Sequence, residues 1–220
     1  MNLTPYPDDF VACLLRADRP AAADLLHRAL DAGLEPRALL LDVIQPSMRR
    51  VGDLWSRQQA SLTQYFVAGR IAEDVTDAIV PLLEREGAGM GRGRVVIGTI
   101  AGDYHGLGRK IVSAFLRAVG VQVRDLGLDV APARFVAAAR EEGADIVAVS
   151  ALMVHAVRQM GELRPMLDEQ GARHVRLLVG GAPFNYHKRL YREVGADATA
   201  RNAGEAVRVV QELLAVRAAP

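Results

Sequence analysis

Val95-Val96-Ile97-Gly98-Thr99-Ile100 leads through Ala101 into Gly102-Asp103-Tyr104-His105-Gly106-Leu107-Gly108, and an amphipathic run continues to Val119. A short, almost wholly apolar segment reads as a strand buried on both faces. The glycine-rich stretch reads as a loop, and Leu107–Val119 as the helix that follows it. The same alternation then repeats. Strands are predicted at Val121–Asp125, Asp145–Val149, Val175–Val179 and Ala196–Ala200. Helices are predicted at Pro132–Glu142, Val154–Glu169, His187–Val194 and Gly204–Val216. Buried strands alternating with helices specify an α/β domain with a parallel sheet covered on both sides. Five such strands suit the flavodoxin-like, Rossmann-like fold, whose ligands bind beyond the carboxyl ends of the strands.

Upstream of Val95 the pattern is helical only. Pro20 opens the run Ala21–Ala32 and Gly33 closes it, the expected helix punctuation. Glu35–Ser56 carries Leu39, Leu40, Val43, Ile44, Met48, Val51 and Leu54 at spacings of three and four, and Pro46 inside it predicts a kink or two consecutive helices. Ser61–Glu86 is again amphipathic, with Ser61 placed to cap it. The expectation is a four-helix bundle over residues 1–86. Gly87–Gly93 contains four glycines in seven residues and reads as a flexible linker. The sheet domain then covers 94–220.

Composition excludes several classes. The 220 residues are 50% hydrophobic, with 27 Lys plus Arg against 26 Asp plus Glu. That near-neutral balance gives no electrostatic case for nucleic acid or an anionic membrane. Cys13 is the only cysteine, which excludes an intrachain disulfide and a cysteine metal cluster. There is no signal pattern and no apolar stretch of membrane-spanning length, so a soluble, cytoplasmic protein is the expectation.

The chemistry concentrates at the predicted carboxyl ends of three strands. The loop after the first strand holds His105, two residues after Asp103. A metal-ligating histidine commonly donates its second ring N–H to a carboxylate, which fixes the tautomer and raises ligand basicity. Gly106 and Gly108 leave room for a large group. The third strand ends in Ser150-Ala151-Leu152, and the fourth in Gly180-Gly181. Taken singly, each has a plainer reading: a loop histidine, a helix cap at Ser150 and a tight turn at Gly180-Gly181. Together they mark one edge of one sheet. No phosphate-loop or dinucleotide fingerprint accompanies them.

The ordered set Asp103-x-His105-x-x-Gly108, Ser150-x-Leu152 and Gly180-Gly181 resembles the signature of base-off/His-on cobalamin-binding domains. Such domains occur in methionine synthase, in corrinoid proteins of methyltransferase systems and in B12-dependent light sensors. The stretches 96–103, 125–129, 150–153, 179–183 and 195–197 resemble the corrinoid proteins as well. The resemblance implies a cobalamin cofactor (methylcobalamin, hydroxocobalamin or adenosylcobalamin) with His105 as lower axial ligand to cobalt. Asp103 would tune that ligand, and Tyr104, Gly106, Leu107 and Gly108 would border it. Ser150, Leu152, Gly180 and Gly181 would receive the displaced nucleotide tail.

In that family a helical bundle caps the upper face of the corrin, and residues 10–86 resemble it, most clearly at Val51-Gly52-Asp53-Leu54-Trp55. Trp55, Tyr65 and Phe66 are the implied upper-face contacts, although composition alone places Trp55 in the core. In light sensors the Trp is followed, after a fixed spacing, by Glu-His; here those positions are Tyr65 and Phe66. Methyl carriers more often show a smaller aromatic in place of the Trp. The main expectation is the methyl-carrying subunit of a methyltransferase system, with no complete active site of its own and a methyltransferase as partner. The alternative is a light or cofactor sensor that acts through a regulatory protein. A radical mutase subunit fits less well because no substrate barrel accompanies the domain, and a homo-oligomer is compatible with either main reading.

Overall fold

The computed structural model describes residues 5–84 and 93–217. The chain divides between Leu83 and Glu84 into two compact units. Most of the predicted linker lies outside the described residues. Gly93 lies within them, and its φ of +128° brings it so close to the Leu214 side chain that a Cβ would stand 2.6 Å away. Its carbonyl accepts the Gln122 N–H, so Gly93 is packed into the sheet unit.

The first unit is helical. Its elements are α1 (Pro5–Leu15), α2 (Arg19–Asp31), and a continuous helical run made of α3 (Pro36–Ala38), a π segment (Leu39–Ile44) and α4 (Gln45–Ser56), followed by α5 (Leu62–Glu84). Four helical rods result, but they are partitioned differently from the expectation. The first rod, α1, was not read from the sequence, and Pro46 does not divide the third. Instead the Gln45 N–H bonds five residues back, to the Leu40 carbonyl. This wider turn lets the helix pass a residue that has no N–H and whose ring crowds the preceding turn. Phe10, Leu14, Leu25, Leu26, Leu39, Leu40, Ile44, Ile71 and Ile79 are buried and form the unit's interior.

The helix ends follow from local chemistry. Asp18 accepts the Ala21 N–H at the start of α2. Ser61 Oγ accepts the Gln64 N–H while Gln64 Oε1 accepts the Ser61 N–H. This reciprocal capping box fixes the start of α5. The Gln64 amide also donates to the Leu15 carbonyl, which ties α5 to the end of α1.

The second unit contains β1 (Arg94–Thr99), α6 (Leu107–Ala118), β2 (Gln122–Asp125), α7 (Pro132–Glu141), β3 (Ile146–Ser150), α8 (Val154–Met160), α9 (Leu163–Glu169), β4 (Arg176–Gly180), α10 (Ala182–Tyr186), α11 (Leu190–Glu193), β5 (Ala198–Ala200) and α12 (Ala203–Arg217). All strand pairs are parallel and the order is β2-β1-β3-β4-β5. This is the flavodoxin-like order, with the chain reversing direction across the sheet at β1 and β3. Helices α6 and α12 cover one face; α7, α8 and α9 cover the other. The predicted helix Val154–Glu169 is two helices with a turn at Gly161. Its apolar spacing runs straight through that turn in Met160 and Leu163, both fully buried.

Register brings the strand ends into line. Thr99 pairs with Ser150, Ser150 with Gly180, and Gly180 with Ala200. Residues level with each other in a parallel sheet point to the same face. Val149 and Val179 belong to the core beneath α7, α8 and α9. The row of small residues from Thr99 to Ala200 therefore faces the α6 and α12 side.

Candidate functional site

The loop between β1 and α6 carries the site, and Asp103 organises it. Its carboxylate is fully buried and accepts four hydrogen bonds. Oδ1 takes the His105 backbone N–H at 3.0 Å and His105 Nδ1 at 2.8 Å. Oδ2 takes the backbone N–H groups of Leu152 at 2.6 Å and Met153 at 2.9 Å. Burial by itself raises a carboxyl pKa, but the bonds from the His105 ring and from the Met153, His105 and Leu152 amides outweigh it and hold Asp103 at about 2. Asp103 is thus a carboxylate at neutral pH and can only accept. His105 Nδ1 must then carry a proton, and in the neutral imidazole the lone pair is on Nε2. The His105 side chain is about half exposed, at 47%.

The neighbouring segments fix that loop. Thr99 Oγ1 donates to the His105 carbonyl at 3.3 Å. Ile100 N–H donates to Ser150, and Ala101 N–H to Val130. From α8, His155 Nε2 donates to the Gly102 carbonyl at 3.2 Å and the Gln159 amide donates to the Ala101 carbonyl at 3.0 Å. From the loop after β2, Asp129 Oδ1 accepts the Gly102 N–H at 2.7 Å and Oδ2 accepts the Tyr104 hydroxyl at 2.9 Å. The Gly102 and Tyr104 bonds hold the exposed Asp129 carboxyl below its usual range, and the same Asp129 contact raises the Tyr104 hydroxyl.

The other predicted residues lie on the same edge. Gly106 is buried and stands at the N-cap of α6. Leu107 is half-buried. A Cβ on Gly108 would stand 4.0 Å from Ser150 Oγ, so α6 begins directly over Ser150. Ser150 does not cap α8, whose N-cap is Met153 with no side-chain bond. Leu152 enters the site through its backbone. Gly181, at φ +116°, has an additional reason to be glycine: a Cβ there would lie 1.8 Å from the Ala151 carbonyl oxygen. Gly180 has room for little more, since its Cβ would lie 3.3 Å from the Ala200 carbonyl.

Trp55, Tyr65 and Phe66 belong to the helical unit. The Trp55 and Tyr65 rings are stacked, with centroids 5.3 Å apart and planes 12° apart. Trp55 is 43% exposed and Phe66 67% exposed, so the single tryptophan is not a core residue.

These residues limit what can bind at the sheet edge. Among the described residues no group of three or more His, Cys, Asp or Glu side chains is placed to hold a metal ion. His105 offers one imidazole, oriented by one carboxylate. A metal held there must bring its remaining ligands with it. The loops at this edge carry exposed apolar side chains as well: Tyr104 after β1, Leu128 after β2, and Met153 after β3, followed by Val154 at the start of α8. Beside them lies the row of small residues. A broad, partly apolar macrocycle with a tail fits this edge; a bare ion does not.

The comparisons agree. Residues 93–210 match the family described as B12 binding domain, and residues 7–80 match a second family of the same description. The chain belongs to the B12-binding corrinoid proteins. This corrinoid protein is 35% identical to dimethylamine corrinoid protein 2 of Methanosarcina acetivorans over 217 residues, 96% of this chain and 95% of that one. It is 30% identical to a corrinoid protein of Desulfitobacterium hafniense, over 94% of this chain and 96% of that one. Its fold is similar to the solved monomethylamine corrinoid protein of Methanosarcina barkeri, with TM-score 0.85 and 29% identity, covering 93% and 96% of the two chains. No helix among its described residues is long and apolar enough to cross a membrane.

Sequence reasoning missed part of the corrinoid protein's site. Asp125 and Asp129 lie in a stretch quoted for its resemblance, with no role attached. Asp125 pairs with the buried Arg109 of α6, accepts from Ser113 Oγ and takes the Gly127 N–H. It thereby joins the first two turns of α6 to the end of β2. His155 of α8, to which no role was attached, bonds the loop backbone. Apart from Gly127, these partners are remote in sequence, so no local pattern could have reported them.

Proposed function

We propose that this chain is the methyl-carrying subunit of a methyltransferase system, with His105 as the lower axial ligand to the cobalt of cobalamin. The observation that carries the reading is the buried Asp103 carboxylate bonded to His105 Nδ1 at the carboxyl edge of the sheet. Bound cobalamin supplies the metal that takes up and releases a methyl group.

The protein's own residues supply binding and orientation. Asp103 fixes the tautomer and makes the imidazole a stronger donor. The Leu152 and Met153 amides keep Asp103 ionised. The row of small residues at Ser150 and Gly180 would accept the nucleotide tail, and Tyr104, Gly106, Leu107, Gly108, Leu152 and Gly181 would border the cofactor. Trp55, Tyr65 and Phe66 are the contacts proposed from the helical unit. The family membership and the full-length likeness to methylamine corrinoid proteins favour the carrier over the sensor. Tyr65 and Phe66, in place of Glu-His, favour it as well. A methyltransferase is the proposed partner, and the cytoplasm the proposed location.

The test uses the full chain reconstituted with hydroxocobalamin, reduced, and mixed with a methyltransferase encoded beside it and with mono-, di- or trimethylamine. The expected result is an enzyme-dependent change of the absorption spectrum to that of the methylated cofactor. No change with any neighbouring methyltransferase, together with a light-driven change in size of the adenosylcobalamin form, would overturn the carrier reading in favour of the sensor.

A further inference from the structure

Among the described residues three non-glycines have positive φ: Ala17, Gln58 and Asp129. Ala17 and Gln58 follow the ends of α1 and α4, where a left-handed residue commonly closes a helix. Asp129, at φ +54°, closes no helix. Aspartate enters this region more readily than most side chains because its carboxylate can hydrogen-bond locally, and such bonds are what hold it there.

The surroundings are the histidine loop. The Asp129 N–H donates to the Asp103 carbonyl at 3.2 Å, Oδ1 accepts from Gly102 N–H at 2.7 Å, and Oδ2 accepts from the Tyr104 hydroxyl at 2.9 Å. One residue thus bonds three consecutive positions, and the next position is His105. Asp129 grips the outer side of the loop, while Leu152 and Met153 hold the Asp103 carboxylate on the inner side. Tyr104 is 66% exposed, so its hydroxyl contributes to the loop's conformation without core packing.

We propose that Asp129 and Tyr104 form a surface latch that positions His105 and sets how completely its imidazole stays on the cobalt. Both are positioning residues: they act on the ligand through the loop backbone. The proposal rests on the reading of His105 as the cobalt ligand. Removing the latch leaves the Asp103–His105 bond intact but lets the backbone on either side of Asp103 relax, which lowers the fraction of His-on protein.

The experiment loads wild type, Tyr104→Phe, Asp129→Asn and His105→Ala with hydroxocobalamin, reduces the cobalt by one electron and records electron paramagnetic resonance. Nitrogen superhyperfine splitting reports the axial imidazole. Wild type should show it and His105→Ala should lose it. Tyr104→Phe should show a several-fold larger unsplit, His-off component. Asp129→Asn tolerates the left-handed backbone and can still accept the Gly102 N–H, so it should keep more of the split signal than Tyr104→Phe. In the cofactor-free protein, amide hydrogen exchange at Gly102 and Tyr104 should speed up several-fold in Tyr104→Phe, with unchanged thermal unfolding. Splitting absent in wild type, or retained in His105→Ala, overturns the ligand assignment and the latch with it. Splitting that depends on His105 but is unchanged in Tyr104→Phe overturns the latch alone.

Discussion

Asp103 Oδ1 lies 2.8 Å from His105 Nδ1 while Asp103 Oδ2 takes two backbone N–H groups from the far side of the sheet's switch point. The carboxylate therefore couples His105 after one strand end to the backbone that follows another. An asparagine has one acceptor oxygen and must turn its NH2 toward N–H donors on one side. Asp103→Asn should destabilise the cofactor-free protein by about 3 kcal/mol, the cost of unmatched buried polar groups and lost charge-assisted bonds. It should also lower the His-on fraction. Urea unfolding monitored by circular dichroism, paired with the absorption spectrum of the loaded protein, checks both effects.

The same carboxyl gives a pH dependence with a definite sign. Asp103 is held at about 2, below the 3.8 of an unconstrained aspartate. The ionised form is favoured by folding, so its contribution is complete above the unfolded value and fades as pH falls through the folded one. It amounts to about 2 kcal/mol. The stability gap between wild type and Asp103→Asn should narrow as the pH falls from about 5 toward about 2. A gap that is flat across that range would show that Asp103 is not ionised by these contacts.

Gly180 and Gly181 are adjacent but should respond differently. Alanine at Gly181 would place a methyl group 1.8 Å from the Ala151 carbonyl oxygen at a φ of +116°. Gly181→Ala should cost more than about 3 kcal/mol and abolish soluble expression or cofactor binding together with the fold. Alanine at Gly180 meets the Ala200 carbonyl at 3.3 Å, a tight contact worth about 1 kcal/mol of overpacking. It lies in the row of small residues with Ser150, so Gly180→Ala should weaken hydroxocobalamin binding about tenfold, which is about 1.4 kcal/mol. Parallel measurements of melting temperature and affinity separate the two positions.

What the sequence disclosed, and what it hid, follows from the range of the interactions. The parallel sheet was legible because each strand is a short apolar run bounded by loops, and such a sheet sends every strand's carboxyl end to one edge. That is why His105, Ser150 and Gly180 could be brought together from spacing alone. The first helix was obscured by Pro5 and Pro7. Both sit in its first turn, where missing N–H groups cost nothing, while Phe10 and Leu14 carried its buried face. Pro46 signalled a break that the π turn absorbs. Arg109, Asp129 and His155 act through partners between 16 and 53 residues away, and no local pattern records such a pairing.

Trp55 and Phe66 are too exposed to stabilise the bundle as core residues do, and Trp55 is held by its stack on Tyr65. Phe66→Ser should change unfolding stability by less than about 0.5 kcal/mol, as surface substitutions do. Tyr65→Leu should cost about 1 kcal/mol through the lost ring pair and shift the emission of the single tryptophan. If these rings serve the cofactor, both variants should bind hydroxocobalamin several-fold more weakly than their stabilities explain. Affinity that follows stability alone in Tyr65→Leu, and does not move in Phe66→Ser, would remove the aromatic pair and Phe66 from the binding site and leave His105 and the sheet edge as the whole of it.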